Sequence, residues 1–525
     1  MMQQEQEWGI CLLPPQQVAA ELVAHDGRLR AELRWQPPRV NADAVGGYHV
    51  ERTTWWPGVD AVTTRLTESP VTECHLVDEA VVPDQVNEYR VVAVNRYFPS
   101  ISSQPSFPGA VYGFAFMRYE GMVRELQALA VDHPDICRLV DAGPSAGEHL
   151  RIWCMVLGED ASDAPDLPGV LLAGNAHGSE VEAGDALMGV IREVIRRHEE
   201  QDPVVCDMLR HVQLRIIPLH NPYGRLANER GFPGSVRKNH PGVLLEPPVD
   251  PLEIMHCWPA DLTPGTDLNR NFDAGWRYSG EPRDPASSTW PGDSPASAPE
   301  TQAIMRMGRA LRPQISAHLH GPCGYPLVTD DWVDGTPPVD RDMHYEVAHA
   351  FARLSAPVFT SEVPELSPEP LGLAGEVAPT WFYQEFYGAH LLPEGFYEQV
   401  PYESRTLCVH GSDALEELIA GDMEALLWMA RRVRGAGVAV HVRGASGEPL
   451  EATVEVLGNM DPHCSPQRTD ATHGAYRRIL SPGRYRLQIS CPGHGSEAVE
   501  VEVVEDSATA VDVRLARARE KGEAR

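Results

Sequence analysis

The apolar residues of this chain change period twice, and that change limits the fold more than any single motif does. Up to about residue 108 the stretches RLRAELRWQPP, GYHVERTTWW and NEYRVVAVNRYF alternate apolar and polar positions, the pattern of half-buried strands. From 113 to 433 short apolar runs such as PGVLLAGNAH and VQLRIIPLH alternate with helix-period segments such as EVEAGDALMGVIREVIRR and PETQAIMRMGRALR. Buried strands separated by helices predict an α/β region built on a mostly parallel or mixed sheet. From 436 to 516 period two returns in VAVHVRG, ATVEVLG, GRYRLQISC and AVDVRLA. The expected architecture is an α/β region at 113–433 flanked by two small antiparallel β-sandwiches, at 17–108 and 436–516. Between 231 and 299 the chain is rich in Pro, Gly and Asp with little periodicity, and a loop of that length is usually functional.

A chain of 525 residues is too long for one core, which agrees with several domains. Its net charge of −31 speaks against nucleic acid and against an anionic membrane surface, because both call for a surplus of Lys and Arg. Solubility is the plain reading of that charge. The 10 cysteines are scattered without a CxxC pair, and no run approaches the roughly 18 apolar residues of a membrane span. The first residues, MMQQEQEWGICLLPPQQ, carry neither a basic start nor a long apolar stretch. A reducing, cytoplasmic location is the expectation.

His177-Gly178-Ser179-Glu180 stands between an apolar run and a helix pattern, where a strand ends and a helix begins. Sites in open α/β sheets collect at such strand ends. The three-residue offset sets imidazole and carboxylate about one helical turn apart, near enough to share an ion. By itself the pair is weak, since a histidine satisfied at a helix start explains it equally well. The second feature is Ile315-Ser316-Ala317-His318-Leu319-His320-Gly321, where two histidines on one strand face close another apolar run. One of them would complete a His₂Glu set with an open position for water, the ligand set of catalytic zinc.

These motifs and their order resemble the zinc carboxypeptidase family of the A/B type. HGSE matches the family's HxxE element, and Ile217-Pro218-Leu219-His220-Asn221-Pro222-Tyr223-Gly224 matches P-x-x-N-P-D-G with Tyr223 where Asp is usual. Val236-Arg237-Lys238-Asn239 resembles the stretch that carries the oxyanion arginine. Asp267-Leu268-Asn269-Arg270-Asn271-Phe272 matches D-x-N-R-N, and Ser297-Ala298-Pro299-Glu300-Thr301 resembles S-E-P-E-T. Outside this region, Trp35, Tyr48, Leu76 and the run from Tyr89 to Asn95 resemble a fibronectin type III domain, and the C-terminal strands resemble a transthyretin-like domain.

The resemblance implies one Zn²⁺ per chain held by His177, Glu180 and His320, since the family's hydrophobic–His–small pattern selects His320 over His318. It implies Arg237 as the oxyanion donor and Asn269 with Arg270 as readers of a substrate's terminal carboxylate. Glu394, in a Gly-led segment, takes the place of the general base, with Glu398 as its rival. Thr380-Trp381-Phe382-Tyr383 resembles the D-W-x-Y element, so Trp381 and Tyr383 are expected to help define the side-chain pocket. Pro379 stands where enzymes selecting basic residues carry an acid, which argues against a dedicated Lys/Arg preference. The family's substrate-binding Tyr is missing near Gly372, a region that also varies in members that cleave amides other than ordinary peptide C-termini. The implied function is a zinc metallocarboxypeptidase acting on peptides with a free C-terminal carboxylate. An amidohydrolase or deacylase on the same scaffold and a non-catalytic binding protein are the alternatives, and the β modules are candidate surfaces for another protein or a glycan.

Overall fold

The computed structural model describes residues 12–518, except 230–236, 240–264, 277–283, 321–324, 355–377, 395–411 and breaks of one to three residues elsewhere. The chain forms two compact units, one ending at Phe116 and including 229–231, the other holding the rest.

In the first unit, strands Gln16–His25 (β1), Arg28–Gln36 (β2) and His75–Asp78 (β5) form one sheet in the order β1-β2-β5. Val45–Trp56 (β3), Val59–Arg65 (β4), Val86–Asn95 (β6) and Gly109–Tyr112 (β7) form a second, ordered β4-β3-β6-β7. All their pairings are antiparallel. Alternate residues of these strands point inward and build a core around Trp35, Tyr48, Val50 and Tyr89.

The second unit contains a seven-stranded sheet made of Cys137–Pro144 (β8), Arg151–Leu157 (β9), Gly169–Gly174 (β10), Gln213–Ile217 (β11), Ile315–Leu319 (β12), Tyr325–Leu327 (β13) and Ala389–Glu394 (β14). The order is β13-β14-β12-β10-β11-β9-β8. Strands β10, β11, β12 and β14 run parallel, and β8, β9 and β13 close the edges antiparallel. The mixed α/β sheet expected from the sequence is thus present. Every residue of β10 is buried, which explains its unbroken apolar run: helices cover both faces, so no position is left for polar alternation.

The helices are Tyr119–Asp132 (α1), Val181–Glu199 (α2), Pro203–His211 (α3), Pro222–Glu229 (α4), Pro299–Leu311 (α5), Arg341–Leu354 (α6), Ala378–Phe386 (α7) and Ser412–Arg432 (α8). Their ends follow local chemistry. Asp202 accepts from Val204 N–H ahead of Pro203 to start α3, and α5 opens on Pro299. Helices α1, α2, α3, α6 and α8 enclose the larger core, while α5 and α7 enclose a second one around Phe272, Trp381 and Phe382.

The remaining strands are Gly437–Gly444 (β15), Thr453–Leu457 (β16), Ala475–Ile479 (β17), Gly483–Ser490 (β18), Ser496–Val503 (β19) and Ala508–Leu515 (β20). They form sheets β17-β15-β20 and β16-β18-β19 around a valine-rich core. All pairs are antiparallel but one: β15 and β20 run parallel.

Candidate metal centre

All four parallel strands end at the same edge of the sheet, and the site residues sit just beyond those ends. After β10 the chain turns at Asn175, whose φ of 57° is left-handed, a conformation asparagine tolerates better than most residues. The Asn175 side-chain amide donates to His177 O at 2.7 Å and Glu180 O at 3.0 Å, locking the turn that leads into α2. His320 follows directly on β12, the neighbour of β10.

This placement brings the two histidines and the glutamate together. His177 Nδ1 lies 2.7 Å from Glu180 Oε1, and His320 Nδ1 lies 2.9 Å from Glu180 Oε2. The two Nδ1 atoms face each other at 3.2 Å. Both histidines are buried. Two imidazole nitrogens aimed at each other and at both oxygens of one carboxylate suit a cation between them, so the donor set fits a divalent metal. Among the described residues this is the one cluster of three His, Cys, Asp or Glu side chains converging in this way.

Asp267 is the partner that sequence reasoning left without a role. Its Oδ1 accepts from His177 Nε2 at 3.2 Å, which keeps Nδ1 of that ring free to bind a metal. Its Oδ2 accepts from Arg237 Nε at 2.9 Å and lies 2.8 Å from Nη2. Asp267 also accepts from Asn269 N–H at 3.0 Å and so starts the short 3₁₀ turn of Leu268–Arg270. One carboxylate therefore orients a metal ligand, the predicted oxyanion arginine and the predicted carboxylate readers. Glu300 ties the neighbouring segments, accepting from Ser145 Oγ at 2.7 Å and Asn239 Nδ2 at 2.7 Å.

The electrostatics follow from these pairings. Burial drives the Glu180 carboxyl upward, but the rings of His177 and His320 outweigh it and hold the group well below its ordinary range. Burial likewise opposes ionisation of Asp267, yet Arg237 and His177 keep it ionised. Burial and Arg237 lower the proton affinity of His177, while Glu180 and Asp267 raise it further, for a net upward shift.

His318 and His320 stand on one strand, but only His320 reaches Glu180. The His318 ring lies 4.8 Å from that of His220, and among the described residues its two nitrogens have no hydrogen-bond partner. Burial pushes His220 down to about 3 and drives His318 well below its ordinary value, so both are neutral.

The other expected site residues are placed as follows. Asn269 is buried with its amide oxygen unpartnered among the described residues, and Arg270 Nη1 donates to Asn269 O at 3.2 Å. Trp381 and Tyr383 are fully buried: Trp381 packs on Phe272, Phe382 and Phe386, and Tyr383 on Trp332, His344 and Tyr387. The structure gives both a packing environment. Glu394 ends β14, where its backbone pairs with Tyr325, and its side chain lies outside the described residues, as does all of Glu398.

The region that holds this centre resembles known proteins. A family profile described as zinc carboxypeptidase matches residues 122–363. The carboxypeptidase N catalytic chain of Mus musculus is 24% identical over 444 residues, covering 77% of this chain and 86% of that protein. Carboxypeptidase M of Mus musculus is 23% identical over 411 residues, covering 75% and 82%, and carboxypeptidase D of Rattus norvegicus 27% over 268 residues, covering 49% and 16%. A solved carboxypeptidase A from Helicoverpa armigera aligns with 60% of this chain and 74% of its own, at 19% identity and a TM-score of 0.47. Residues 122–363, which carry the His177–Glu180 pair and His320, match a zinc carboxypeptidase domain, homologous to carboxypeptidases N, D and M.

Proposed function

We propose that this protein is a zinc metallocarboxypeptidase that releases C-terminal residues from peptides. The observation that carries the reading is the convergence of His177, Glu180 and His320, with Asp267 linking that set to Arg237. When bound, zinc supplies Lewis acidity and lowers the pKa of water towards neutrality. His177, Glu180 and His320 would hold it through the facing atoms described above. Arg237, aimed by Asp267, stabilises the oxyanion that forms at the scissile carbonyl; one such donor contributes about 3 kcal/mol.

Arg270 and Asn269 bind the substrate's terminal carboxylate. The planar guanidinium offers a bidentate fork, and rotation of the Asn269 amide exchanges its unpartnered oxygen for a donor NH₂. Glu394 accepts the proton of the attacking water and passes it to the leaving amine. Strand register supports this choice. β12 pairs with β14 at an offset of 74 residues, and that register carried past Ala317 and Leu391 sets the Glu394 backbone level with His320. A Glu394→Gln variant should keep its metal and lose nearly all turnover; full activity in it moves the base to Glu398.

The deciding experiment is mass spectrometry of a mixed peptide pool incubated with zinc-loaded protein, beside an o-phenanthroline control. Chelator-sensitive loss of single C-terminal residues is the expected result and displays the residue preference directly. An untouched pool with stoichiometric zinc bound would sink the reading.

A further inference from the structure

We propose that the C-terminal β region positions the strand carrying Glu394, with Arg478 and Asp461 acting as positioning residues through Tyr387. The inference rests on the reading of Glu394 as general base.

Tyr387 is where α7 gives way to β14. Its φ of 53° is left-handed, an unfavourable conformation for a bulky aromatic residue that persists only where its surroundings impose it. The turn has no room to relax. Tyr387 N–H donates to Tyr383 O at 2.9 Å, Ala389 N–H donates to Gln314 O at 3.0 Å, and a Cβ on Gly388 would lie 2.6 Å from Pro313 O. This turn therefore decides which residue of β14 meets Ile315, and so where the strand ends. A slip of one residue would move Glu394 by roughly 3.3 Å and turn it to the opposite face.

What imposes the turn comes from beyond residue 436. The Arg478 guanidinium, on β17, sits 3.8 Å above the Tyr387 ring. It is held there by donation from Nη2 to Asp340 Oδ2 at 2.8 Å and from Nη1 to Asn459 O at 3.0 Å. Asp461 N–H donates to the Tyr387 hydroxyl at 2.8 Å, while Asp461 Oδ2 accepts from Trp332 Nε1 at 3.0 Å and Val339 N–H at 3.2 Å. Arg478 and Asp461 are both buried.

The same connection between β16 and β17 also caps α7. The last carbonyls of a helix lack partners within it, and here Tyr383 O accepts from Cys464 Sγ at 3.5 Å. Gln384 O accepts from Ser465 N–H at 2.8 Å, and Glu385 O from Gln467 Nε2 at 3.0 Å. The end of α7 and the start of β14 are thus both built against this region.

The test uses the full-length, zinc-loaded chain and reports kcat and KM per bound zinc. Arg478→Met should bind zinc normally, leave KM within about threefold, and lower kcat at least tenfold. It should also shift the acid limb of the kcat/KM profile, where the base titrates, and Arg478→Lys should recover part of the lost kcat. If Arg478→Met does not fold, Tyr387→Phe removes only the hydroxyl that Asp461 holds, and should lower kcat about threefold or more. An unchanged kcat per zinc in the variant that folds, or a change confined to KM, overturns the proposal. The two readings fail separately: an inactive Glu394→Gln beside an unaffected Arg478→Met removes the clamp alone, whereas an active Glu394→Gln removes the base assignment and the clamp with it.

Discussion

In the N-terminal unit Arg52 donates to Asp78 Oδ2 at 2.7 Å, and the Tyr89 hydroxyl donates to the same oxygen at 3.0 Å. In the second unit Arg478 donates to Asp340 Oδ2 at 2.8 Å, and the Tyr383 hydroxyl lies 3.4 Å from that oxygen. Both groups are buried trios of arginine, aspartate and tyrosine. The first joins β3, the end of β5 and β6, all strands of one sandwich-like unit. The second joins β17 to the segment before α6 and to α7. Identical chemistry thus closes one module on itself and fastens the other to the catalytic sheet. A buried ion pair is weak evidence for stability, because desolvation offsets much of the attraction, but breaking one side leaves an uncompensated charge. What such a pair secures depends on which elements it connects.

The difference can be tested by breaking the trios one at a time. Asp340→Asn should have the largest effect, destabilising the second unit by about 3 kcal/mol and lowering kcat per bound zinc at least tenfold. Melting curves with and without zinc, beside kinetics, would measure both. Asp78→Asn should destabilise the first unit by a similar amount, about 3 kcal/mol, with kcat and the zinc-dependent transition unmoved. If Asp78→Asn depressed kcat as far as Asp340→Asn, the contrast between the two modules would collapse.

Asp422, on α8, sharpens the comparison because it is a buried carboxyl whose Oδ2 has no partner among the described residues. Burial pushes it up to about 7, so the folded state holds its proton more tightly than the unfolded chain does. Its contribution is fully present below about pH 4 and is lost as the pH rises towards 7. Asp422→Asn should therefore raise stability at pH 8 by on the order of 2 kcal/mol and change little at pH 4, as read from denaturant midpoints.

The smallest effect is expected at Asp166, which lies 2.6 Å from Arg477 Nη2 and 3.0 Å from His441 Nε2 and is partly exposed. It too links the C-terminal strands to the catalytic region, yet Asp166→Asn should cost less than about 1 kcal/mol and leave kcat alone. A large kinetic effect there would show that any contact across this boundary matters, rather than those that reach Tyr387.

Much of this could be read from the residues in order. Period two and period 3.6 marked the strands and helices because each element buries one face, and the His177–Glu180 pair stood out because a strand end precedes it. The choice between His318 and His320 was harder, since both point to one face of β12; only packing shows His320 at Glu180 and His318 beside His220. Asp267 was visible as part of a motif but not as the partner of His177, which lies 90 residues away. Trp381 and Tyr383 were recognisable as a pair, whereas their burial depends on neighbours distant in sequence, Phe272, Trp332 and His344 among them. Arg478 and Asp461 gave no signal at all. A charged residue in a period-two pattern reads as the solvent face of a strand or its loop, and nothing local says that another layer covers it.

The parallel pairing of β15 with β20 sets a timetable. These two strands, paired from Gly437–Ala508 to Gly444–Leu515, are joined only after every other strand of the module has been synthesised. A growing chain can gather His177, Glu180 and His320 early, while β17, which pairs with the other edge of β15, still waits for a finished sheet to support it. Metal capture and commitment of the Tyr387 turn are therefore separated in time. A nascent chain that has passed His320 but not β20 would hold the residues that bind the ion before those that set the Tyr387 turn.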